Sequence, residues 1–343
     1  MSMKAMILQS ETNLEKNTKP LMLVSVPDPV PGDNEVIIKV TACGVCHTEL
    51  DEIEGRTPPP KFPVIPGHQV IGQVIDSGKG VKDLKPGDRV GVAWIFSSCE
   101  KCNYCLSGYE NLCPEFKATG RDVNGGYAEY ITVPAAFTYR IPEIFTDSQA
   151  APLLCAGAVG CRSLRLTGHQ NGQNIGLTGF GASGHIVLQI IRYKYPDSKI
   201  FVFARSEAER MFARELGATW TGDTTDNIPE LLDSIIDTTP VWKTVVEALK
   251  NLKAGGRLVI NAIRKEETDK DYLLNIDYSR HLWMEKEIKS VANVTRNDVK
   301  EFLTIASEIP IIPEVQEYKL EEANIALTEL KQRKIRGAKV LLL

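Results

Sequence analysis

Hydrophobic positions follow two different rhythms along the chain. Up to about residue 150 they come in short β-branched runs, such as EVIIKVTACGV (35–45) and QVIGQVIDSG (69–78). Turn signals at Pro31-Gly32, Pro66-Gly67 and Pro86-Gly87 separate such runs. This portion predicts a mainly β domain. From residue 174 the rhythm changes. The strand candidates NIGLTGF, KIFVFA, IDTTPVW, GRLVINAI and EIKSVANV are interspersed with amphipathic stretches. Between the first two, Ile186, Val187, Ile190 and Ile191 recur at helical spacing. After the second, SEAERMFARELG places Ser206 to cap a helix, Glu209 three residues on as in a capping box, and Gly217 at the stop. Strand–helix–strand alternation predicts an α/β unit, a doubly wound parallel sheet with helices on both faces. The C-terminal stretch returns to short mixed elements.

Composition bounds what these elements serve. The 343 residues, 43% hydrophobic and 24% charged, suffice for two domains with their own cores. A net charge of −4 and the lack of a basic stripe argue against a nucleic-acid surface. No apolar run is long enough to span a bilayer. The opening MSMKAMILQS carries one lysine and no long apolar stretch, which argues against a secretory signal. The compartment expected on these grounds is the cytoplasm, where thiols stay reduced. Disulfides then explain the cysteines poorly.

Four of the eight cysteines, Cys99, Cys102, Cys105 and Cys113, follow C-x2-C-x2-C-x7-C in a polar stretch with Glu100, Lys101, Asn103 and Ser107. Four thiolates close a tetrahedral shell around zinc and leave no position for a substrate. An iron–sulfur cluster also takes four thiolates, but its usual spacings differ. Four unrelated core cysteines do not suit so polar a segment. The cluster reads as a structural zinc lobe, so chemistry must lie elsewhere.

NIGLTGFGASG ends one strand candidate and opens a helix, with Gly179, Gly181 and Gly184 forming G-x-G-x-x-G. The first glycine permits the turn, the second lets backbone approach a pyrophosphate, and the third lets helix pack on strand. Ala182 and Ser183 then stand at a helix N-terminus that offers N–H groups to phosphates. The next strand discriminates between cofactors. Where an NAD protein usually carries an acid for the ribose 2′-hydroxyl, this chain reads FVFARSEAER. Arg205 can pair with a 2′-phosphate and Ser206 can donate to it, with Arg210 a weaker candidate. NADP(H) is the preferred cofactor on this reading.

Four cysteines remain: Cys43, Cys46, Cys155 and Cys161. Two cysteines with one histidine make a known open zinc site. Cys46, His68 and Cys155 can supply one only if the fold gathers them, and they span more than a hundred positions. Cys43 and Cys46 also form C-x-x-C, a redox pattern. The residues alone leave both readings open.

Taken in order, GVCHTE, PGHQ, the four-cysteine lobe, GGYAEY, LLCAG and G-x-G-x-x-G resemble the zinc-containing medium-chain alcohol dehydrogenases of bacterial type, in an NADP-preferring subgroup. The resemblance covers nearly the whole chain. It implies a GroES-like, mainly β catalytic domain over 1–150, completed by 286–343, and a Rossmann dinucleotide-binding domain over 151–285. It implies two zinc ions per chain: a catalytic one on Cys46, His68 and Cys155, and a structural one on the four-cysteine lobe. Thr48 then supplies the hydroxyl that starts the proton's route, His47 contacts the cofactor pyrophosphate, and Trp94 restricts the substrate pocket. Cys43 and Cys161 fall outside the ligand set and read as small buried residues.

The chain departs from the family pattern in four places. Gln69 follows the zinc histidine where Glu is common, and Glu49 stands where Asp usually orients that histidine. Asp51 occupies a position that often ends the proton relay with histidine. Gly337-Ala338 replaces a glycine and a cofactor-binding arginine, with Arg336 or Lys339 the nearest basic substitute. The activity implied is hydride transfer between NADP(H) and small primary alcohols or aldehydes, in a homodimer or homotetramer associating through a Rossmann edge such as EIKSVANV. A polyol or aromatic-alcohol dehydrogenase is the close alternative. A zinc- and nucleotide-binding redox sensor is the non-enzymatic one, disfavoured because a sensor need not keep an open zinc position beside a hydroxyl.

Overall fold

The computed structural model describes residues 2–309, 311–332, 334 and 336–343. Its α-helices are α1 (His47–Ile53), α2 (Asn103–Leu106), α3 (Asp147–Pro152), α4 (Ala158–Thr167), α5 (Ala182–Lys194), α6 (Glu207–Glu215), α7 (Trp242–Leu249), α8 (Arg296–Glu308) and α9 (Ala323–Lys331). The chain divides into two units. One runs to Ala158 and resumes at Val294, and the other spans Val159–Asn293.

The first unit is built on a largely antiparallel sheet. Its order is Val315–Lys319, Ala338–Leu342, Glu35–Val45, Val70–Ser77, Arg89–Val92 and Thr138–Arg140, with Tyr130–Pro134 also paired to Glu35–Val45. The long strand Glu35–Val45 alternates buried and more exposed positions before becoming wholly buried at its end. One face therefore meets a core of Val36, Ile38, Val40, Tyr127, Leu50 and Leu327. A separate hairpin pairs Ser2–Leu8 with Leu21–Pro27.

In the second unit six strands run parallel in the order Trp220–Gly222, Lys199–Phe203, Asn174–Thr178, Leu232–Asp237, Leu252–Ile260 and Glu287–Ser290. Counted from Asn174–Thr178 this is the 3-2-1-4-5-6 order of the dinucleotide-binding fold, and parallel neighbours require crossovers such as α5, α6 and α7. The edge strand Glu287–Ser290 is exposed along its length.

Three expectations need correction. The candidate IDTTPVW straddles the end of strand Leu232–Asp237 and the start of α7. Pro240 lacks an N–H for a ladder, and the strand is set by Leu232, Ile235 and Ile236, which are fully buried. The unit boundaries fall at 158/159 and 293/294, not at 150/151 and 285/286. Residues 151–158 stay with the first unit because α3 and the turn after it pack on its sheet and on α8, while strand Glu287–Ser290 completes the second sheet. At α6 only half of the capping box forms: Ser206 accepts from the Glu209 N–H at 3.1 Å. Gly217, just past the C-cap Leu216, has φ +97, a conformation that favours glycine.

Candidate metal centre and nucleotide loop

Strand Glu35–Val45 delivers Cys46 to the N-cap of α1, where the backbone is extended (φ −137, ψ −179). The Cys46 sulfur accepts from the Thr48 N–H at 3.3 Å, and Glu49 Oε2 accepts from the Cys46 N–H at 2.8 Å. The strand-to-helix corner thus aims one thiol and fixes one carboxylate together.

His68 follows Gly67, whose φ is +96 and where a Cβ would sit 2.4 Å from the Tyr127 ring. Only glycine passes there without displacing the ring. The His68 side chain is almost wholly buried, with Nδ1 2.6 Å from Glu49 Oε1. The approach is close but poorly aligned, since neither atom has a hydrogen bond of regular geometry. Glu49 so reaches the backbone of Cys46 with one oxygen and the ring of His68 with the other. An Asp, one methylene shorter, has less reach for that bridge. With Nδ1 directed at a carboxylate, Nε2 is left to act as a lone-pair donor.

Cys155 lies on a widened turn, Leu153–Gly157, after α3. Asp147 at the start of α3 accepts from Thr41 Oγ1 at 2.5 Å and from Arg89 Nε at 2.8 Å, which ties the helix to the sheet. His68 Nε2 stands 3.6 Å from the Cys46 sulfur and 3.3 Å from the Cys155 sulfur. All three donor atoms lie within 4.8 Å of one another. In a tetrahedral zinc shell the N–S edge is about 3.6 Å and the S–S edge about 3.8 Å, from bond lengths of about 2.1 and 2.3 Å.

The electrostatics agree with a cation site. Burial opposes a charged His68 ring, but Glu49 and then Cys46 outweigh it and raise its pKa well above the ordinary range. Cys46 is also raised, first by its hydrogen bond with Cys155 and then by burial. His68 and Cys46 hold their protons tightly in one buried place, and a metal ion displaces such protons. Gln69 is buried beside His68, and a Cβ on Gly44 would meet its Oε1 at 2.5 Å, so its amide fills the space above the strand end. Asp51 turns to Arg56, with Oδ1 accepting from Nε at 2.5 Å. Trp94 is buried against Phe116, ring centroids 4.9 Å apart. Cys43 is packed in the core among Gly67 and Gly126 while Cys46 faces His68 and Cys155. The two do not form a redox pair. Cys161 is buried on α4.

The second cluster is organised locally. Cys102 N–H donates to the Cys99 sulfur and Cys99 N–H to the Cys113 sulfur, both at 3.4 Å. Cys105 Sγ lies 3.9 Å from Cys99 Sγ and 3.6 Å from Cys102 Sγ. Backbone N–H groups of Lys101 and Cys102 pull the Cys99 thiol down to about 7, whereas burial pushes Cys113 up to about 11. Arg296, at the start of α8, holds the lobe by Glu100 at 2.7 Å and Glu110 at 2.9 Å.

In the second unit Gly179 has φ +83, and a Cβ on Gly184 would lie 2.7 Å from the Gly179 carbonyl oxygen. A Cβ on Gly181 would meet nothing within 4 Å. The loop is tight beneath and open above, and Gly181 is the N-cap of α5 with no side-chain cap, so the N–H groups of Ala182 and Ser183 face that opening. Arg205 is exposed just past strand Lys199–Phe203. Ser206 caps α6, and Arg210 is spent on Glu207 at 2.9 Å and on the carbonyls of Ala204 and Arg205. Arg210 is therefore less available to a ligand than Arg205. In the first unit His47 is exposed, Arg336 pairs with Glu314 at 2.6 Å, and Lys339 is fully buried on Gln316, Tyr318 and Glu329. That burial removes Lys339 as a substitute cofactor ligand.

Sequence reading passes over Glu52. It is only 1% exposed, and neither carboxylate oxygen has a hydrogen-bond partner. Its place four residues after Thr48 was the available signal.

Comparison with known proteins identifies the family. Residues 32–143 match the alcohol dehydrogenase GroES-like domain. A protein of Mycobacterium tuberculosis described as a probable alcohol dehydrogenase is 41% identical over 95% of this chain and 94% of its own. An alcohol dehydrogenase of Geobacillus stearothermophilus is 34% identical over 94% of this chain and 96% of its own. Among solved structures, a cinnamyl alcohol dehydrogenase of Sorghum bicolor superposes with a TM-score of 0.86 at 27% identity, covering 99% of this chain and 97% of that one. No helix among the described residues is long and apolar enough to cross a membrane. By this likeness along its whole length, the chain belongs to the zinc-containing medium-chain alcohol dehydrogenases.

Proposed function

We propose that the protein is a zinc-dependent alcohol dehydrogenase and aldehyde reductase that prefers NADP(H) and acts on small primary alcohols and aldehydes. One observation carries this reading: Cys46, His68 and Cys155 bring three donors of zinc-binding type within 4.8 Å, one fewer than a closed tetrahedral shell. Cys46, His68 and Cys155 would hold one ion, and Cys99, Cys102, Cys105 and Cys113 a second. Bound at the three-donor site, zinc would supply Lewis acidity to an alcohol or aldehyde oxygen, while the nicotinamide carries hydride. Glu49 keeps the His68 ring oriented and Nε2 in donor form. The Thr48 hydroxyl, two positions past Cys46, passes the substrate's proton. The backbone N–H groups after Gly181 bind the pyrophosphate, and Arg205 pairs with the 2′-phosphate. The exposed edge strand Glu287–Ser290 is the surface through which copies of the chain would associate.

Initial rates of acetaldehyde and butyraldehyde reduction, with NADPH and then NADH and with and without a zinc chelator, test the reading. Faster, chelator-sensitive turnover with NADPH is expected. Chelator-insensitive turnover removes the metal role, and faster turnover with NADH removes the cofactor preference. Arg205→Asp should shift the NADPH-to-NADH ratio of kcat/KM towards NADH by about tenfold or more, the loss of one charge-assisted contact plus a new repulsion. An unchanged ratio would place recognition of the 2′-phosphate elsewhere. Aromatic alcohols are the second reading, favoured by the likeness to the sorghum cinnamyl alcohol dehydrogenase and by the stacked Trp94 and Phe116. Cinnamaldehyde belongs in the same panel, and the higher kcat/KM decides.

A further inference from the structure

Glu52 is the anomaly of the first unit. A carboxyl group with both oxygens buried and no hydrogen-bond partner is costly in charged form. Its surroundings sharpen the point. One turn earlier on α1 stands Glu49, whose oxygens face the Cys46 N–H and the His68 ring. Two carboxyl groups in one buried place do not readily both ionise. Burial, and then the neighbouring Glu49, raise the proton affinity of Glu52 well above the usual carboxyl range. His68 and Arg121 pull the other way, and Asp51 adds to the rise. Arg121 is partly neutralised by Asp122, 3.0 Å away.

Position supplies the rest. Thr48 and Glu52 are four residues apart on α1, so their side chains share one face with Cβ atoms about 5–6 Å apart. The neighbouring carboxylate, Asp51, is held by Arg56 at 2.5 Å, a charge-assisted bond that protonation would weaken. Of the two, Glu52 is the group whose protonated form is already favoured.

We propose that Glu52 is the proton reservoir of the site, exchanging a proton with the substrate oxygen through the Thr48 hydroxyl. The proposal rests on the dehydrogenase reading. In aldehyde reduction the Glu52 O–H gives its proton, through one water, to Thr48 Oγ. The proton already on Thr48 Oγ passes to the carbonyl oxygen as hydride reaches the carbonyl carbon from the reduced nicotinamide. The carbonyl π bond breaks and one C–H and one O–H bond form. Glu52 is left as a carboxylate and regains a proton from water after the alcohol leaves. Alcohol oxidation runs these transfers backwards.

The test has two readouts on the intact enzyme. The first is the infrared carbonyl band of a protonated carboxylic acid, which ionised carboxylates lack. It should be present in the wild type at neutral pH and absent from Glu52→Gln. The second is steady-state kinetics across pH. Glu52→Gln should lower kcat about tenfold or more with KM little changed, and should flatten the pH dependence of kcat, as loss of a positioned acid–base group does. Glu52→Asp, which keeps the acid, should recover part of the rate, and it stands in should the Gln variant fail to fold. Retention of the band in Glu52→Gln, or a Gln variant that turns over at the wild-type rate with the same pH profile, overturns the proposal. A wild type without turnover on any alcohol or aldehyde sinks the dehydrogenase reading itself. Failure of the Glu52 role alone leaves the wild type active and the Gln variant equal to it.

Discussion

The two cysteine clusters reach similar donor spacings by opposite routes. Cys99, Cys102, Cys105 and Cys113 come from one short loop, held in part by N–H to sulfur hydrogen bonds within the loop itself. Cys46, His68 and Cys155 come from a helix cap, a glycine-threaded turn and a widened turn after α3. The first set includes partly exposed cysteines and a thiol pulled down to about 7. The second is built around a buried histidine whose proton affinity is raised by the groups around it. A local loop has little core of its own, so an ion helps to hold its shape. A site drawn from distant parts of the chain is shaped by the fold before any ion arrives. On the two-zinc proposal, the lobe would lean on its metal for stability, and the three-donor site would need the fold in order to take one.

This contrast fails at once if removing a donor has the same consequence in both places. Cys46→Ser should abolish turnover, a loss of about 10³-fold or more, since the metal's charge stabilisation is worth several kcal/mol. The melting temperature should hardly move, because serine is a better N-cap than cysteine for α1. Turnover near the wild-type level would take Cys46 out of the site. Cys102→Ser should do the reverse. A crosslink closing a loop of this length is worth about 3 kcal/mol, so melting should fall by several degrees while kcat at low temperature stays within about twofold. A variant with normal melting and lost activity would erase the distinction between the clusters.

The same contrast governs what could be read from the sequence. C-x2-C-x2-C-x7-C is legible because its ligands are neighbours, and G-x-G-x-x-G because strand, turn and helix are contiguous. Spacing does not join Cys46 to Cys155, so that set depended on resemblance until the fold brought the donors together. The bridge that Glu49 makes is visible only in the fold, where its two oxygens point to two different neighbours. Lys339 looks like any cation near a chain end, and only its place on the inner strand Ala338–Leu342 reveals that it is buried. Glu52 hides in the run HTELDEIEG, which reads as a solvated acidic face. Its burial comes from tertiary packing around α1, which no local pattern records. The strand misplaced at IDTTPVW has a simpler cause: Asp233 and Ser234 interrupt the apolar run, although Ser234 is buried and bonded to His169 at 3.1 Å.

A smaller perturbation separates shape from ligand identity. Gly157 ends the turn that carries Cys155, and a Cβ there would lie 2.2 Å from Cε1 of Phe302 on α8. Phe302 is fully buried and has no room to swing aside, so either the turn or the helix must move. Overpacking of this kind costs about 1–3 kcal/mol. Gly157→Ala leaves all seven metal donors in place. If the three-donor site is shaped by the fold, the variant should bind its catalytic-site metal more weakly, with a drop in kcat that excess zinc partly restores. The four-cysteine lobe should keep its ion under the same dialysis. Metal analysis after dialysis, alongside kcat with and without added zinc, reads both effects. Equal loss from the two clusters would mean that they are coupled. Full retention at both, with unchanged kcat, would mean that the turn tolerates displacement and that the fold's hold on Cys155 is looser than its packing against Phe302 implies.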